Sequence, residues 1–235
     1  RVIRALIIAP TRELAEQIHD HTMQLGRRAK IKSLTIYGGV GKNPQITKLR
    51  SGAEIVVACP GRLLDLMNEG EIDVSRVEVL VLDEADRMFD MGFLPDIRRI
   101  VGKLPKRRQT LLFSATMPED IRQLAQEVLQ NPLTIRIDDT IPLSTVSHAL
   151  FPVEPHRKTA LLMKLLDRTD TESVLVFTRT KHRATRLAQQ MKKAGYPVAS
   201  LQGDLPQNKR KAALNGFRDG RYRILVATDI AARGI

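Results

Sequence analysis

A single cysteine, Cys59, is all the thiol this 235-residue chain carries. That excludes an internal disulfide framework and fits a reducing cytosol, so the expected location is cytoplasmic. Long hydrophobic runs are missing as well. The apolar stretches are strand-sized, well short of the roughly 20 residues that span a bilayer. No basic-then-apolar leader opens the chain, and nothing in it points to export. There is no low-complexity tract and no short-period repeat, so neither a disordered tether nor a repeat array is in prospect. Acidic residues are the scarcer charge: 26 Asp and Glu face 38 Lys and Arg, a net +12. Such an excess favours a polyanionic partner such as nucleic acid, although composition alone does not separate this from plain solubility charge.

The excess is uneven. Residues 1–138 hold 21 basic against 18 acidic residues, whereas residues 139–235 hold 17 against 8. With 43% hydrophobic residues the chain can bury real cores, as one large domain or two of ordinary size. Apolar runs alternate with amphipathic stretches along its length. Strands are expected at Val2–Ile8, Leu34–Tyr37, Glu54–Ala58, Val77–Leu82, Thr110–Ser114 and Leu133–Ile137. Helices lie between them, such as Arg12–Gly26, with Leu14, Ile18 and Leu25 on one face. Pro60 and Pro118 stand where first-turn prolines belong. After a break near 138–147 the alternation resumes with strands at His148–Val153, Ser173–Thr178, Val198–Leu201 and Arg223–Thr228. Helices are expected from His156, from Lys181 and near Pro206–Phe217. Apolar strands alternating with helices imply parallel sheets covered on both faces, an α/β fold. The expected organisation is a first domain over 1–138, a linker over 139–147 and a second domain over 148–235.

In such sheets ligands bind beyond the carboxyl ends of the strands. Six polar clusters sit there: Pro10-Thr11-Arg12, Gly38-Gly39, Asp83–Asp86, Ser114-Ala115-Thr116, Thr178-Arg179 and Thr228-Asp229. Asp83 and Glu84 follow an apolar strand directly. A metal–phosphate site needs one carboxylate for hydrated Mg²⁺ and a second group to orient the attacking water, and adjacent acids can divide those tasks. The competing reading is an acidic helix start that favours the macrodipole. Thr11 can cap a helix from Arg12, and the same geometry offers N–H groups and a guanidinium to a phosphate. "CPGR" at 59–62 repeats that arrangement. "YGGVGK" at 37–42 is not a Walker loop: Ile36 stands where its first glycine belongs, and Asn43 where its Ser or Thr belongs. Its glycines suit a turn that lets another backbone come close.

Eight segments occur in the order found in one family: "PTRELAEQ" (10–17), "GG" (38–39), "PGR" (60–62), "DEAD" (83–86), "SAT" (114–116), "VLVFTRTK" (174–181), "QNKR" (207–210) and "ATDIAARGI" (227–235). The chain resembles the DEAD-box RNA helicases, and its wording is most similar to bacterial members of the RhlE type. The resemblance implies two RecA-like parallel-sheet domains in tandem, an ATP-dependent RNA helicase, and ATP and Mg²⁺ as cofactors. It implies that Asp83 acts on Mg²⁺ through water, that Glu84 positions the hydrolytic water, and that Asp86 links to Ser114 and Thr116. Pro10, Thr11, Arg12, Gly39, Gly61 and Arg62 would line an RNA path in the first domain. Arg179, Gln207, Arg210 and Thr228 would serve RNA or the interdomain face in the second. Asp229 and Arg233 would serve ATP, Arg233 from the interdomain face. Recognition through backbone and 2′-hydroxyl groups implies little base specificity.

Against the family pattern, the chain holds no adenine-sensing glutamine segment, no Gly-Lys-Thr phosphate loop and no His-Arg-Ile-Gly-Arg motif. Both domains are therefore expected to be partial, with exposed apolar sheet edges, and these 235 residues alone to hydrolyse ATP negligibly. Position 59 is Cys where the family usually has Thr, and a thiol is a poor helix cap. The alternative from the binding class is an RNA clamp without turnover, which would keep Pro10–Arg12 and Arg62 but need no chemistry at Asp83–Glu84.

Overall fold

The computed structural model describes residues 2–136 and 146–228. The chain separates into two compact units, one running through Asn131 and the other starting at Pro132. All but the last two residues of the 139–147 linker segment lie outside the described residues.

The first unit is built on a five-stranded sheet in the order β2-β3-β1-β4-β5. Its strands are β1 (Ala5–Ile8), β2 (Ser33–Ile36), β3 (Ile55–Ala58), β4 (Val79–Leu82) and β5 (Gln109–Leu112). Every pairing is parallel, so every strand delivers its following loop to one edge. Successive side chains point to opposite faces, and the apolar runs therefore feed two cores. Leu6, Ile8, Val56, Ala58, Leu80 and Leu82 fill the larger one. It is closed by α3 (Pro60–Asn68), α5 (Leu94–Val101) and α6 (Glu119–Val128). These helices insert Leu63, Leu66, Ile97, Ile100, Ile121 and Leu124, all fully buried. Each such side chain contributes about 1.5–3 kcal/mol of transfer free energy. Ile7, Ile55 and Val57 face the other way and meet Leu14, Ala15 and Ile18 of α1 (Arg12–Gly26).

Helix starts set the loop geometry at the strand edge. Thr11 caps α1, its Oγ1 accepting from the Leu14 N–H at 3.2 Å. Pro60 is the first residue of α3, and Cys59 caps that helix without a side-chain hydrogen bond, as a thiol should. Pro118 stands one position earlier than a first-turn proline, as the cap of α6. Between β2 and β3 lies α2 (Lys42–Arg50), and between β4 and β5 the short α4 (Ala85–Asp90) precedes α5.

The second unit holds a parallel three-stranded sheet in the order β6-β8-β7, made of Val174–Thr178, Ile224–Thr228 and Val198–Leu201 respectively. The α7 (Lys158–Arg168) and α8 (Lys181–Lys193) helices pack Leu166, Leu187 and Met191 on one face. On the other face, α9 (Gln207–Arg218) packs Leu214 against Leu201 and Leu225. Gly216 in α9 is required by contact: a Cβ there would stand 2.5 Å from Cε2 of Tyr222. The Arg223 guanidinium donates to the carbonyls of Thr171 (2.8 Å), Leu166 (3.3 Å) and Thr169, satisfying groups that the end of α7 leaves open.

Two expected strands do not form. Residues 132–136 are irregular, with Leu133 86% and Ile135 79% exposed, and Ile137 lies outside the described residues. His148–Val153 is irregular too, with Leu150 91% exposed. Both segments carry β-forming residues, but a strand exists only against a neighbour, and among the described residues neither has one. The helix expected from His156 starts as a 3-10 turn at Pro155–Arg157 and becomes α-helical at Lys158. Apolar side chains do stand exposed at sheet edges: Phe113 just after β5, and Leu175 and Phe177 on β6.

Candidate functional site

The carboxyl end of β4 carries the acidic loop. The Asp83 N–H still donates to the ladder, to Ile8 O at 2.9 Å, and Asp83 Oδ1 accepts from the Glu84 N–H at 3.0 Å. Glu84 adopts a left-handed conformation (φ 51°, ψ 53°) as the cap residue of α4. That conformation costs an L-residue about 1–2 kcal/mol and persists only where the surroundings fix it. Here the fixing group is the next strand's loop, since the Ala85 N–H donates to Phe113 O at 3.0 Å.

Asp86 completes a closed knot with that loop. Its N–H donates to Ser114 Oγ at 3.1 Å. Its Oδ2 accepts from both the N–H (2.9 Å) and the Oγ1 (2.8 Å) of Thr116. Ser114 Oγ donates onward to Thr116 O at 2.7 Å. Burial would raise the Asp86 carboxyl, but the bonds from Thr116 and Ser114 outweigh it and hold the group below its ordinary range. Asp83 and Glu84 move the opposite way. Burial raises both, opposed at Asp83 by the Glu84 N–H and at Glu84 chiefly by Arg87. Three carboxylates within four residues thus divide into one tied to structure and two kept desolvated and available.

Among the described residues no cluster of three or more His, Cys, Asp or Glu could cage a metal ion. One available carboxylate with a free oxygen is nonetheless what hydrated Mg²⁺ uses, because that ion keeps several waters and takes the rest of its ligands from phosphate. Asp83 fits that outer-sphere role.

Three loops of the first unit meet at the same sheet edge. Gly39 has φ +75°, and a Cβ there would lie 2.1 Å from Arg12 Nη2 and 2.3 Å from Nη1. The Arg12 guanidinium therefore rests directly over the Gly39 backbone. At the next residue of the same turn, Arg62 Nη1 donates to Val40 O at 3.2 Å. Pro10 and Thr11 are buried, and apart from its chain neighbours and its own helix backbone nothing lies within 4 Å of where a Cβ on Gly61 would stand, leaving that backbone approachable. Two guanidinium groups clasping a glycine turn beside an open backbone form a track suited to successive phosphates.

In the second unit the site residues are set around the ends of its three strands. Thr178 and Thr228 are paired in register at the ends of β6 and β8, with Thr178 Oγ1 donating to Thr180 O at 3.2 Å. Arg179 follows and is exposed. Gln207 opens α9, while Arg210 is 8% exposed, its Nη1 3.5 Å from Gln202 O. The buried Arg210 thus braces the β7 loop, and Gln207 and Arg179 are the more accessible of the set. Asp229 and Arg233 lie outside the described residues.

Several bracing residues have no motif to announce them. Gln45 holds the glycine turn by accepting from the Tyr37 N–H (3.0 Å) and donating to Tyr37 O and Gly41 O (both 3.1 Å). The Tyr37 hydroxyl donates to Glu16 at 2.5 Å. Lys42, the residue that gave "YGGVGK" its Walker-like look, is spent on Glu69 at 2.5 Å. Lys181 pairs with Asp204 at 2.7 Å and ties the start of α8 to the β7 loop. Arg87 reaches Glu84. Only the low amphipathicity and embedded Pro44 of α2 hint in the sequence that this helix serves a loop. Burial pushes the Cys59 thiol up to about 12, away from the thiolate form that reacts.

Two parallel sheets covered by helices, with a carboxylate pair and a guanidinium clasp at one strand edge, are the layout of RecA-like domains. The chain belongs to the DEAD/DEAH box helicase family: that family's profile matches residues 1–124, and the helicase conserved C-terminal domain matches residues 157–235. It is 42% identical over 244 residues to the ATP-dependent RNA helicase DBP3 of Saccharomyces cerevisiae, covering 100% of this chain and 46% of that protein. It is equally 42% identical, over 234 residues, to the DEAD-box ATP-dependent RNA helicase CshA of Streptococcus pneumoniae, covering 99% of this chain and 45% of the relative. Yeast and bacterial relatives at the same identity do not single out the RhlE type. In structure it is similar to S. cerevisiae Dbp5 bound to RNA and ADP BeF3, with TM-score 0.86, 32% identity, and coverage of 100% of this chain and 60% of that one. A DEAD box protein from Methanococcus jannaschii matches with TM-score 0.56, 36% identity, and coverage of 100% and 63%. The chain spans about half the length of the curated relatives it matches. No helix among the described residues is long and apolar enough to cross a membrane.

Proposed function

We propose that the full-length protein is an ATP-dependent RNA helicase that couples ATP binding and hydrolysis to local duplex unwinding or remodelling of RNA–protein complexes. The observation that carries this reading is the Asp86–Ser114–Thr116 knot, which locks the acidic loop of β4 to the loop of β5 and leaves Asp83 and Glu84 available beside it. Asp83 would hold a water of Mg²⁺, which when bound offsets charge on phosphate oxygens. Glu84 would accept a hydrogen bond from the attacking water. Pro10, Thr11, Arg12, Gly39, Gly61 and Arg62 would carry the RNA backbone in a first domain over 1–138. Arg179, Gln207, Arg210 and Thr228 would contribute from a second domain over 148–235. Asp229 would contact ATP, and Arg233 would serve it from the interdomain face. The single buried thiol suits a cytoplasmic setting.

Phosphate contacts carry no base information, so binding should depend on the backbone and its 2′-hydroxyls. Single-stranded RNA and DNA of matched sequence, competed on the full-length protein with a non-hydrolysable ATP analogue, test the substrate class. RNA is expected to win by about tenfold or more, equivalent to one or two lost hydroxyl hydrogen bonds. Equal affinity, or a preference for DNA, would remove RNA as the substrate.

A further inference from the structure

Glu84 is fixed along its backbone and held at a single point on its side chain. The main chain is pinned on both sides, through the Asp83 carboxylate and through Phe113 O. The carboxylate has only Arg87 as a partner among the described residues: Nη1 lies 3.2 Å from Oε1 and 3.3 Å from Oε2. Arg87 Nη1 hydrogen-bonds Oε2 and lies within ion-pair distance of Oε1, which limits where the carboxylate of an otherwise free three-torsion side chain can sit. The Arg87 backbone N–H donates to Asp86 Oδ1 at 3.0 Å, so the main chain from which its guanidinium reaches Glu84 is tied to the knot that joins the β4 and β5 loops. An i,i+3 pair of partly exposed side chains adds little to stability, so stability alone gives no account of this placement.

We propose that Arg87 is a positioning residue, fixing the orientation of the Glu84 carboxylate toward the attacking water. This rests on the assignment of Glu84 made above. A residue that positions the group acting on the attacking water acts on the rate of the chemical step and leaves the binding of ATP and RNA to other groups.

The test is steady-state ATP hydrolysis by the full-length protein carrying Arg87→Ala, Arg87→Lys, Glu84→Gln and the Glu84→Gln/Arg87→Ala double change. Arg87→Ala is expected to lower kcat about tenfold, with KM for ATP and RNA affinity within about twofold. Arg87→Lys, which retains a cation at the same helical position, should recover most of that loss. In the Glu84→Gln background Arg87→Ala should add nothing, because two residues acting as one unit are not additive. Wild-type kcat in Arg87→Ala would overturn the proposal. So would a raised kcat, which would mean that the pair holds Glu84 away from water. A kcat loss accompanied by an equal loss of thermal stability, unrescued by lysine, would assign Arg87 to structure and overturn it as well. If Glu84→Gln itself keeps turnover, the assignment of Glu84 fails first. If Glu84→Gln loses turnover and Arg87→Ala does not, only the positioning role fails.

Discussion

Glu84→Gln in the full-length protein is expected to lower RNA-stimulated ATP turnover by about 10³-fold, within the range a positioned acid–base group contributes. RNA affinity in the presence of an ATP analogue should be unchanged. The substitution is close to isosteric and leaves intact every backbone bond that shapes the loop, because those run through Asp83 Oδ1, Phe113 O and the Asp86 knot. The left-handed turn at position 84 is held by those bonds and not by the side chain. What changes is charge: an amide oxygen is a far weaker acceptor for a water that must lose a proton. The Glu84 carboxyl is already raised by burial, so removing its charge relieves desolvation and thermal stability should not fall. Hydrolysis rates under single-turnover conditions, with filter binding of labelled RNA on the same preparation, check both halves. Turnover within about threefold of wild type would place the hydrolytic group elsewhere.

Gly39→Ala should have the next largest effect, and it should fall on RNA binding. A Cβ at this position would lie 2.1 Å from Arg12 Nη2, and the backbone sits at φ +75°. The backbone cost is about 1–2 kcal/mol in the left-handed region. The contact itself is relieved cheaply, because a guanidinium is the mobile end of a long side chain. Relief, however, means that Arg12 leaves its place over the turn. One charge-assisted phosphate bond is worth about 1.5–3 kcal/mol, or roughly 10–100-fold in affinity. RNA affinity should fall by that factor, and its salt dependence should shallow by about one phosphate. Arg12→Ala should reproduce both changes, and the double substitution should be no worse than either alone. Wild-type affinity in Gly39→Ala would show that the guanidinium over the turn does not touch RNA.

The legible part of this protein was its sheet. Runs such as "ALII", "IVVA" and "VLVL" are apolar at every position, which only a strand covered on both faces requires, and each was found as one. Their common direction places every following loop on one edge, as the alternation of strands and helices already implies. Leu133–Ile137 shows the limit of that logic: "LTIRI" alternates as a half-buried strand should, yet without a neighbour its described part stays irregular. The acidic loop is legible from its residues as a cluster, but the division of labour within it comes only from the family resemblance, which implies the Asp86 link to Ser114 and Thr116. That Asp86 is the tied acid and Glu84 the available one depends on Ser114 and Thr116, 28 and 30 residues away, and on a left-handed residue that no propensity predicts. The clasp of Arg12, Gly39 and Arg62 joins three loops whose proximity is a property of strand order. Gln45 and Arg87 were silent because a glutamine on a polar helix and an arginine after an acid look like ordinary surface until their partners are placed.

In the full-length protein the acids at the end of β4 are expected to turn over ATP under the control of RNA. ATP turnover by the full-length protein, with and without saturating single-stranded RNA, tests it most directly. Stimulation of about tenfold or more is expected, worth at least about 1.4 kcal/mol of barrier, and it should disappear in Glu84→Gln. Tight RNA binding with ATP turnover at the uncatalysed level in both conditions would contradict it, and would make the protein an RNA clamp in which Asp83 and Glu84 do no chemistry.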